Sequence, residues 1–267
     1  MRSIANILLL GISLTVRATP IRLDEVANIT GRDLWRDNLI TPGATDLEWR
    51  WQPVLDFDQD GCYYTSGFDK FANHNPGLGA ANGAPPECLR RDCRNPDRLE
   101  NSRVFSRWRC NNGVCAIMYE YYFEKDQTLC GSYISGHRHD WENIVVFVRD
   151  NRVIRVAPSS HDNYNGATNS PRLEGERPKV VYHKDGTSTH CFRMAKAADD
   201  AVENYTGRWY LGQLVGWWNY PSVDVRNRAL DWGSGPAPKL AEAKFADYLN
   251  RAAGGQVPGF NPNINDN

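Results

Sequence analysis

The sequence lacks an excess of charge of either sign. Its 31 Lys and Arg residues stand against 32 Asp and Glu residues, which gives a formal net charge of -1 at pH 7. Binding to the phosphate backbone of a nucleic acid needs a basic surface, so we expect no nucleic acid partner. The hydrophobic fraction of 41% is large enough for one sizeable core, and we expect a globular protein.

A long apolar run is missing beyond the first residues. Met1-Arg2-Ser3 and the apolar residues 4–16 have the charged start and short hydrophobic stretch of a secretory signal peptide, with Ala18 as a suitable cleavage point. The run is shorter than the ~20 residues that a membrane span requires. We therefore predict a signal peptide over residues 1–18, one folded domain over residues 19–267, and a secreted, extracellular protein.

No two cysteines have the CxxC spacing. Seven cysteines lie beyond the predicted signal peptide, where an oxidising compartment favours disulfides. Cys110 and Cys115 flank an Asn-Gly turn between strand-like segments, so their spacing favours a bridge across that hairpin. The odd count leaves at least one thiol free or intermolecular.

What the sequence does contain is a series of short segments rich in β-branched and aromatic residues, separated by Gly, Asn and Pro turns. They predict strands over residues 114–123, 143–148, 153–157, 179–183 and 209–218. We also expect a short helix near residues 31–39 and an amphipathic helix over residues 237–252. The pattern predicts a mainly β, single-domain antiparallel β-sandwich flanked by a few helices.

The densest group of chemically active side chains is the segment Ser135-Gly-His-Arg-His-Asp-Trp-Glu142. If a strand begins at Asp140, the side chains of Asp140 and Glu142 share one face, and His137 can turn toward it from the preceding loop. A hairpin-like return would bring Asp126 to the same pocket. Three carboxylates and one imidazole suit Mg²⁺ or Ca²⁺, or else Mn²⁺, better than zinc. We predict a divalent cation site here.

Two other interpretations of these residues stay open. The segment could be a turn whose His and Asp side chains satisfy local hydrogen bonds. His137-x-His139-Asp140 also resembles the start of a zinc hydrolase site, although the pattern lacks a further His and the chain lacks βαβ alternation. A secreted metal-dependent hydrolase is therefore a weaker alternative.

Three acidic residues before Gly61 copy the first half of an EF-hand calcium loop, namely Asp56, Asp58 and Asp60. The position for the bidentate Glu is occupied by Gly67. A solvated Asp-rich turn is favoured over a second cation site.

The segment Gly136-His-Arg-His-Asp-Trp-Glu142 resembles the heptapeptide of the necrosis- and ethylene-inducing peptide-like proteins, the NPP-type necrosis-inducing family. The resemblance extends to Ala116-Ile-Met-Tyr119, to Tyr121-Tyr-Phe-Glu-Lys-Asp126 and to Gly61-Cys62 upstream. Cys110-Asn-Asn-Gly-Val-Cys115 points to the cysteine-rich variety of that family. The similarity covers most of the predicted mature chain.

The resemblance implies a β-sandwich flanked by helices, similar to actinoporin cytolysins and fungal lectins. It also implies a secreted effector of plant-associated microbes that binds sugar headgroups of plant glycosylinositol phosphorylceramides. Family members make peripheral contact with the plasma membrane and damage it, and they are not known as enzymes. We expect a monomer with these properties.

Residue by residue, the cation ligands of the family fall on the set reached above from chemistry, Asp126, His137, Asp140 and Glu142. The resemblance further implies that His161 lines the headgroup groove, assigns ligand contacts to Arg138 and His139, and pairs Cys62 with Cys93. The partners of Cys88, Cys130 and Cys191 stay open.

The chain departs from the family pattern near these residues. The loop between Asp126 and His137 is long and adds Cys130, and residues 189–193 lack the Trp that cytolytic members place on a membrane-contacting loop. A non-cytolytic apoplastic protein recognised by plant immunity is therefore the main alternative function.

Overall fold

Two β-sheets pack face to face in this computed structural model, which describes residues 36–131, 135–187, 189–233 and 235–266. The predicted signal peptide and most of the helix predicted near residues 31–39 lie outside these ranges. The strands are β1 (Val54–Phe57), β2 (Val104–Asn111), β3 (Val114–Leu129), β4 (Ser135–Arg149), β5 (Arg152–Pro158), β6 (Leu173–Glu174), β7 (Arg177–Asp185), β8 (Thr189–Met194) and β9 (Leu214–Gly216). The predicted mainly β fold is confirmed.

In the described residues, five short α-helices connect or flank the strands. They are α1 (Asp46–Trp51), α2 (Glu87–Arg90), α3 (Pro96–Glu100), α4 (Val223–Ala229) and α5 (Glu242–Ala253), with one 3₁₀ turn at Ala197–Asp200. In the described part of the chain, no helix is both long and apolar enough to span a bilayer.

The larger sheet has the strand order β5-β4-β3-β2-β9, and the smaller sheet is built around β7, which pairs with β1, β6 and β8. Most pairs are antiparallel as predicted, but β1–β7 and β2–β9 are parallel. A parallel pair needs a long connection, and these partners are far apart in sequence. Hydrophobic patterns within one strand do not report the direction of so distant a partner.

The larger sheet is buried on both faces. Between the sheets, Tyr121 and Phe123 of β3 pack against Tyr182 and Phe192 of the smaller sheet, and Phe123 stacks on Tyr182 at 3.8 Å. On the outer face, Trp141 and neighbouring β4 residues share a second core with residues of α5. This double burial explains the long, nearly continuous apolar runs of β3 and β4.

Two predicted elements are shorter than expected. Of residues 209–218, only Leu214–Gly216 forms a strand, and Tyr210 makes an isolated bridge to Leu55. The terminal helix begins at Glu242 instead of residue 237, because the amide of Lys239 donates a hydrogen bond to the buried Glu120 carboxylate. It ends before Gly254, whose φ of 54° gives the left-handed cap that glycine adopts readily.

Three disulfides hold the loops. The structure contains the two expected pairs, Cys62–Cys93 and Cys110–Cys115, and it adds Cys88–Cys130. Cys191 is a buried free thiol. The odd cysteine count is thereby accounted for.

Candidate functional site

A polar cavity of about 220 Å³ opens at one end of the sandwich, between the two sheets. All four predicted cation ligands line it, together with His161. Asp140 and Glu142 of β4 pair with Phe123 and Tyr121 of β3, so their side chains share the inter-sheet face. The predicted alternation is correct, because Trp141 packs in the outer core instead.

The strands extend further than the sequence indicated. β4 begins at Ser135 and not at Asp140, and β3 continues beyond Asp126 to Leu129. Asp126 and His137 are therefore direct cross-strand partners inside the ladder. The pairing of the two strands, and not a flexible loop, fixes the distance between these two side chains.

A local break in the strand directs His137 to the cavity. His139 has a left-handed φ of 62°, and Gly136 has a φ of 127° with no room for a side chain, since a Cβ would lie 2.2 Å from the Asp126 carbonyl oxygen. His137 Nδ1 donates to the carbonyl oxygen of His139 at 2.8 Å, and its Nε2 lies 4.0 Å from the Asp126 carboxylate. The backbone thus turns His137 inward and His139 outward.

Asp126 is held by a residue that the sequence analysis did not select. The backbone amide of His190 donates to both carboxylate oxygens at 3.0 and 2.9 Å, and its ring Nδ1 donates at 2.7 Å. The other ring nitrogen lies 3.6 Å from the Asp60 carboxylate. Although burial opposes protonation, these two carboxylates raise the pKa of His190 to about 9, so this buried imidazole is a cation at neutral pH.

The remaining two carboxylates are less well compensated. Asp140 accepts a hydrogen bond from the Tyr182 hydroxyl at 3.1 Å, and Glu142 accepts one from Ser159. Burial and the nearby Asp126 raise the pKa of Asp140 to about 7. Burial and the nearby Asp140 also raise the pKa of Glu142 well above its usual range. The ionised pair needs additional positive charge.

This set of ligands fits a hard divalent cation. Asp140 and Glu142 each use one carboxylate oxygen for the hydrogen bonds above, and Oδ2 of Asp126 accepts one hydrogen bond and still offers a lone pair. Oxygen-rich sites of this kind suit Mg²⁺, Ca²⁺ or Mn²⁺. His137 lies at the edge of the set, as a ligand or as a partner of bound water.

The loop that carries Lys239 forms another part of the cavity rim and is held by charged contacts. Lys239 contributes its ammonium group to an ion pair with Asp162 at 2.9 Å, and its amide donates to Glu120 at 2.7 Å. Burial raises the pKa of Glu120 to about 8. His161 lies beside this rim, and its ring Nε2 donates to Asp185 at 2.9 Å.

Arg138 and His139, to which the resemblance assigned ligand contacts, are arranged differently from that prediction. Arg138 is outside the cavity lining and donates to the Pro76 and Gly77 carbonyl oxygens, while the His139 ring is hydrogen-bonded to the Tyr122 hydroxyl on the outer face. These two side chains do not join the site. The imidazoles of His137 and His139 thus diverge, which is unfavourable for the zinc hydrolase interpretation.

The EF-hand-like carboxylates also belong to separate networks. Asp56 is buried and accepts hydrogen bonds from the 203 and 204 amides, Asp58 lies 3.5 Å from Arg193, and Asp60 faces His190. They do not converge on one point. Asp60 instead supports the cavity through His190.

Several cavity residues were missed by the sequence analysis, above all His190, Ser159, Tyr182 and Lys239. For residues 189–193, the sequence indicated only that a Trp is missing. Alternation along that strand would have placed His190 on the same face as Phe192, toward the core. The contact with Asp126 spans 64 residues of sequence and has no local signal.

Comparisons with known proteins show the family to which the chain belongs. The family model for necrosis inducing protein (NPP1) matches residues 45–252. NLP effector protein 10 of Phytophthora capsici is 32% identical over 148 residues, which is 53% of this chain and 59% of that protein. The chain therefore spans less than two thirds of the length of this curated relative.

Solved structures share the fold. The structure of NLPPya in complex with glucosamine superposes with a TM-score of 0.64 at 24% identity, covering 81% of this chain and 97% of that one. The crystal structure of the non-toxic protein HaNLP3 gives a TM-score of 0.63 at 25% identity, covering 80% and 94%. Since the family model matches most of the chain and the fold agrees, the protein belongs to the necrosis inducing protein (NPP1) family.

Proposed function

We propose that this protein is a secreted effector that binds sugar headgroups of plant sphingolipids through a divalent cation and then damages the plasma membrane. The observation that carries the proposal is the cavity in which Asp126, Asp140 and Glu142 converge. The pKa values of the last two are raised, so their ionised forms are stabilised only by added positive charge. Mg²⁺ or Ca²⁺ would supply it, and open coordination positions can accept sugar hydroxyls.

A sugar ligand agrees with the composition of the cavity. Its lining is mainly polar, with hydroxyl, imidazole, carboxylate and ammonium groups within one opening. A relative of the same fold has been solved with an amino sugar. Sugar hydroxyls in turn donate to carboxylates and accept from groups such as His161 and Lys239, which both line the cavity.

The membrane step and secretion rest on the sequence. Residues 1–18 have the features of a signal peptide, and glycosylinositol phosphorylceramides expose their sugars at the outer leaflet of plant cells. We infer that headgroup binding brings the cavity mouth to the membrane surface as a peripheral contact. We also propose that the protein is not an enzyme, because the two imidazoles of the hydrolase-like motif diverge.

A non-cytolytic member of the family is the second candidate. Residues 189–193 form a strand without a Trp, and a protein described as non-toxic shares the fold. Such a protein would bind the cation and the headgroup without permeabilising the bilayer.

The test is leakage from vesicles with and without plant glycosylinositol phosphorylceramide, in Mg²⁺ or in EDTA. We expect leakage only with both glycolipid and cation. Asp140→Asn should abolish it, because this variant keeps the size of the side chain and removes a ligand charge. Asp224→Asn is the matched control, since that carboxylate lies on exposed helix α4.

The outcomes separate the two candidates. Glycolipid-dependent vesicle binding without leakage favours the non-cytolytic protein. Leakage or binding that is equal in EDTA, or unchanged in Asp140→Asn, would show that the cation cavity is not the receptor site.

A further inference from the structure

A second cluster of potential metal ligands lies next to the acidic cavity, on the other face of strand β8. His161, Asp185 and Cys191 each offer one ligand atom, and these three atoms lie within 4.8 Å of one another. Cys191 is the direct cross-strand partner of His183, and Thr189 is the partner of Asp185. Side chains alternate along strands, so Cys191 faces away from His190 and the acidic cavity.

The chemistry of this cluster differs from that of the cavity. It combines imidazole, thiol and carboxylate, whereas the cavity is dominated by carboxylates. The His183 ring lies beside the cluster, with Nε2 3.6 Å from the Cys191 sulfur. Nitrogen and sulfur ligands favour Zn²⁺ and related transition metals over Mg²⁺ and Ca²⁺.

The spacing of these atoms is close to that of a zinc site. Zinc bond lengths of about 2.0–2.3 Å place tetrahedral ligand atoms roughly 3.3–3.8 Å apart. The His161–Asp185 distance is 2.9 Å and the Cys191–His183 distance is 3.6 Å.

We propose that His161, Asp185 and Cys191 form a Zn²⁺ site at the border of the acidic cavity, on the side of strand β8 that faces away from His190, with the fourth tetrahedral position left open. The Thr189 hydroxyl lies 3.0 Å from His161 Nδ1 and would orient the ring while Nε2 binds the metal. On binding, zinc replaces the thiol proton, which is released to solvent.

Two independent features support this assignment. Cys191 is the one cysteine outside the three disulfides, and a metal would protect such a thiol in an oxidising compartment. The His161 side chain is 41% exposed and that of Asp185 is 49% exposed, so an ion can reach the cluster from solvent.

Co²⁺ is the probe for the test, because a bound thiolate gives it a near-ultraviolet charge-transfer band and tetrahedral geometry gives strong visible bands. The purified protein is titrated with Co²⁺ in excess Mg²⁺, which occupies the acidic cavity. We expect a thiolate band that one equivalent of Zn²⁺ removes. Cys191→Ser should lack the band, and Asp140→Asn should keep it.

His161→Ala provides a variant that does not disturb the core, since its ring is partly exposed. We expect it to lower Zn²⁺ affinity by at least about 10-fold, the minimum loss typical even of outer-sphere partners. The proposal is overturned if wild type shows no thiolate band, if the band persists in Cys191→Ser, or if His161→Ala leaves Zn²⁺ affinity unchanged. Because Cys191 lies outside the lining of the acidic cavity, the thiolate band in Cys191→Ser reports on this site alone, whereas Mg²⁺-dependent leakage of wild type reports on the proposed function.

Discussion

The motif strand β4 has two faces with opposite properties. On the inner face, Asp140 and Glu142 are buried among like charges and contribute raised pKa values. On the outer face, Trp141 is 5% exposed and lies with its ring centre 5.2 Å from that of Tyr122 and 5.3 Å from that of Trp232. Within one motif, Asp140 and Glu142 thus line the cavity, whereas Trp141 packs in the outer core.

The comparison separates stability from ligand binding. The outer face is close-packed, since even a Cβ at Gly67 would lie 2.3 Å from the Trp141 ring. The ionised inner face is electrostatically unfavourable, and this cost is removed by protonation or by bound positive charge. Substitutions on the outer face should therefore change the free energy of unfolding, whereas substitutions on the inner face should change cation affinity.

The largest expected effect is on the outer face. Trp141→Ala should lower the free energy of unfolding by about 3–5 kcal/mol, because it leaves a cavity between the aromatic rings. The measurement is urea unfolding. Trp218→Ala is the matched control, since Trp218 is 71% exposed and its loss should change stability by less than about 0.5 kcal/mol. Equal effects of the two variants would contradict the packing argument.

Asp140→Asn on the inner face should act on affinity instead. We expect calorimetry to show a loss of Mg²⁺ affinity greater than the 10–100-fold that is typical of an outer-sphere residue. The cation-free variant should be at least as stable as wild type, because a like charge has been removed from a buried cluster. A variant that binds Mg²⁺ normally, or that unfolds more readily in EDTA, would contradict this assignment.

The inner face should also respond to pH in a defined direction. With the pKa of Asp140 raised to about 7, the folded protein holds a proton that the unfolded chain loses near pH 4. In EDTA, the free energy of unfolding should therefore rise as pH falls from about 7 to about 4. Mg²⁺ affinity should fall over the same window, because protons compete for the ligand.

Asp140→Asn serves as the control for that prediction. Chemical unfolding of both proteins in EDTA at several pH values isolates the contribution of this carboxyl group, since the other titrating groups are shared. If the two curves remain parallel over this window, Asp140 does not carry the raised pKa.

The smallest effect is expected at Arg138, which belongs to the motif but not to the cavity. Arg138→Ala removes hydrogen bonds to two loop carbonyl oxygens, and the residue is exposed. We expect a change of at most about 0.5 kcal/mol in stability and unchanged Mg²⁺ affinity. A large loss of glycolipid binding in the vesicle assay would instead restore the ligand role that the sequence assigned to it.

Local patterns were enough to predict much of this protein. Alternation correctly assigned Asp140 and Glu142 to one face and Trp141 to the other, because that property depends only on neighbouring residues. The same is true of the Cys110–Cys115 hairpin, whose Asn-Gly turn brings the two thiols together. The residue types of the motif also indicated that the site would be rich in carboxylate oxygens.

Local sequence patterns did not predict the positions of side chains where the backbone departs from a regular strand or where the contacting residues are distant in sequence. His139 lies on the outer face with Trp141, as alternation gives, but Arg138 lies outside the cavity because the left-handed φ of His139 interrupts the alternation, and no composition rule reports that φ angle. The spacing of three aspartates resembles one calcium loop, but each of them contacts a different partner in the structure, namely Asp56, Asp58 and Asp60.

By itself, the sequence determined the sandwich class, the polar face of β4 and the oxygen-rich character of the site. Only the tertiary structure decided that His190 neutralises Asp126, that Lys239 closes the rim, and that Cys191 meets His161 and Asp185. These contacts join segments that are distant along the chain. They depend on the pairing of whole strands, and a local sequence pattern does not encode that pairing.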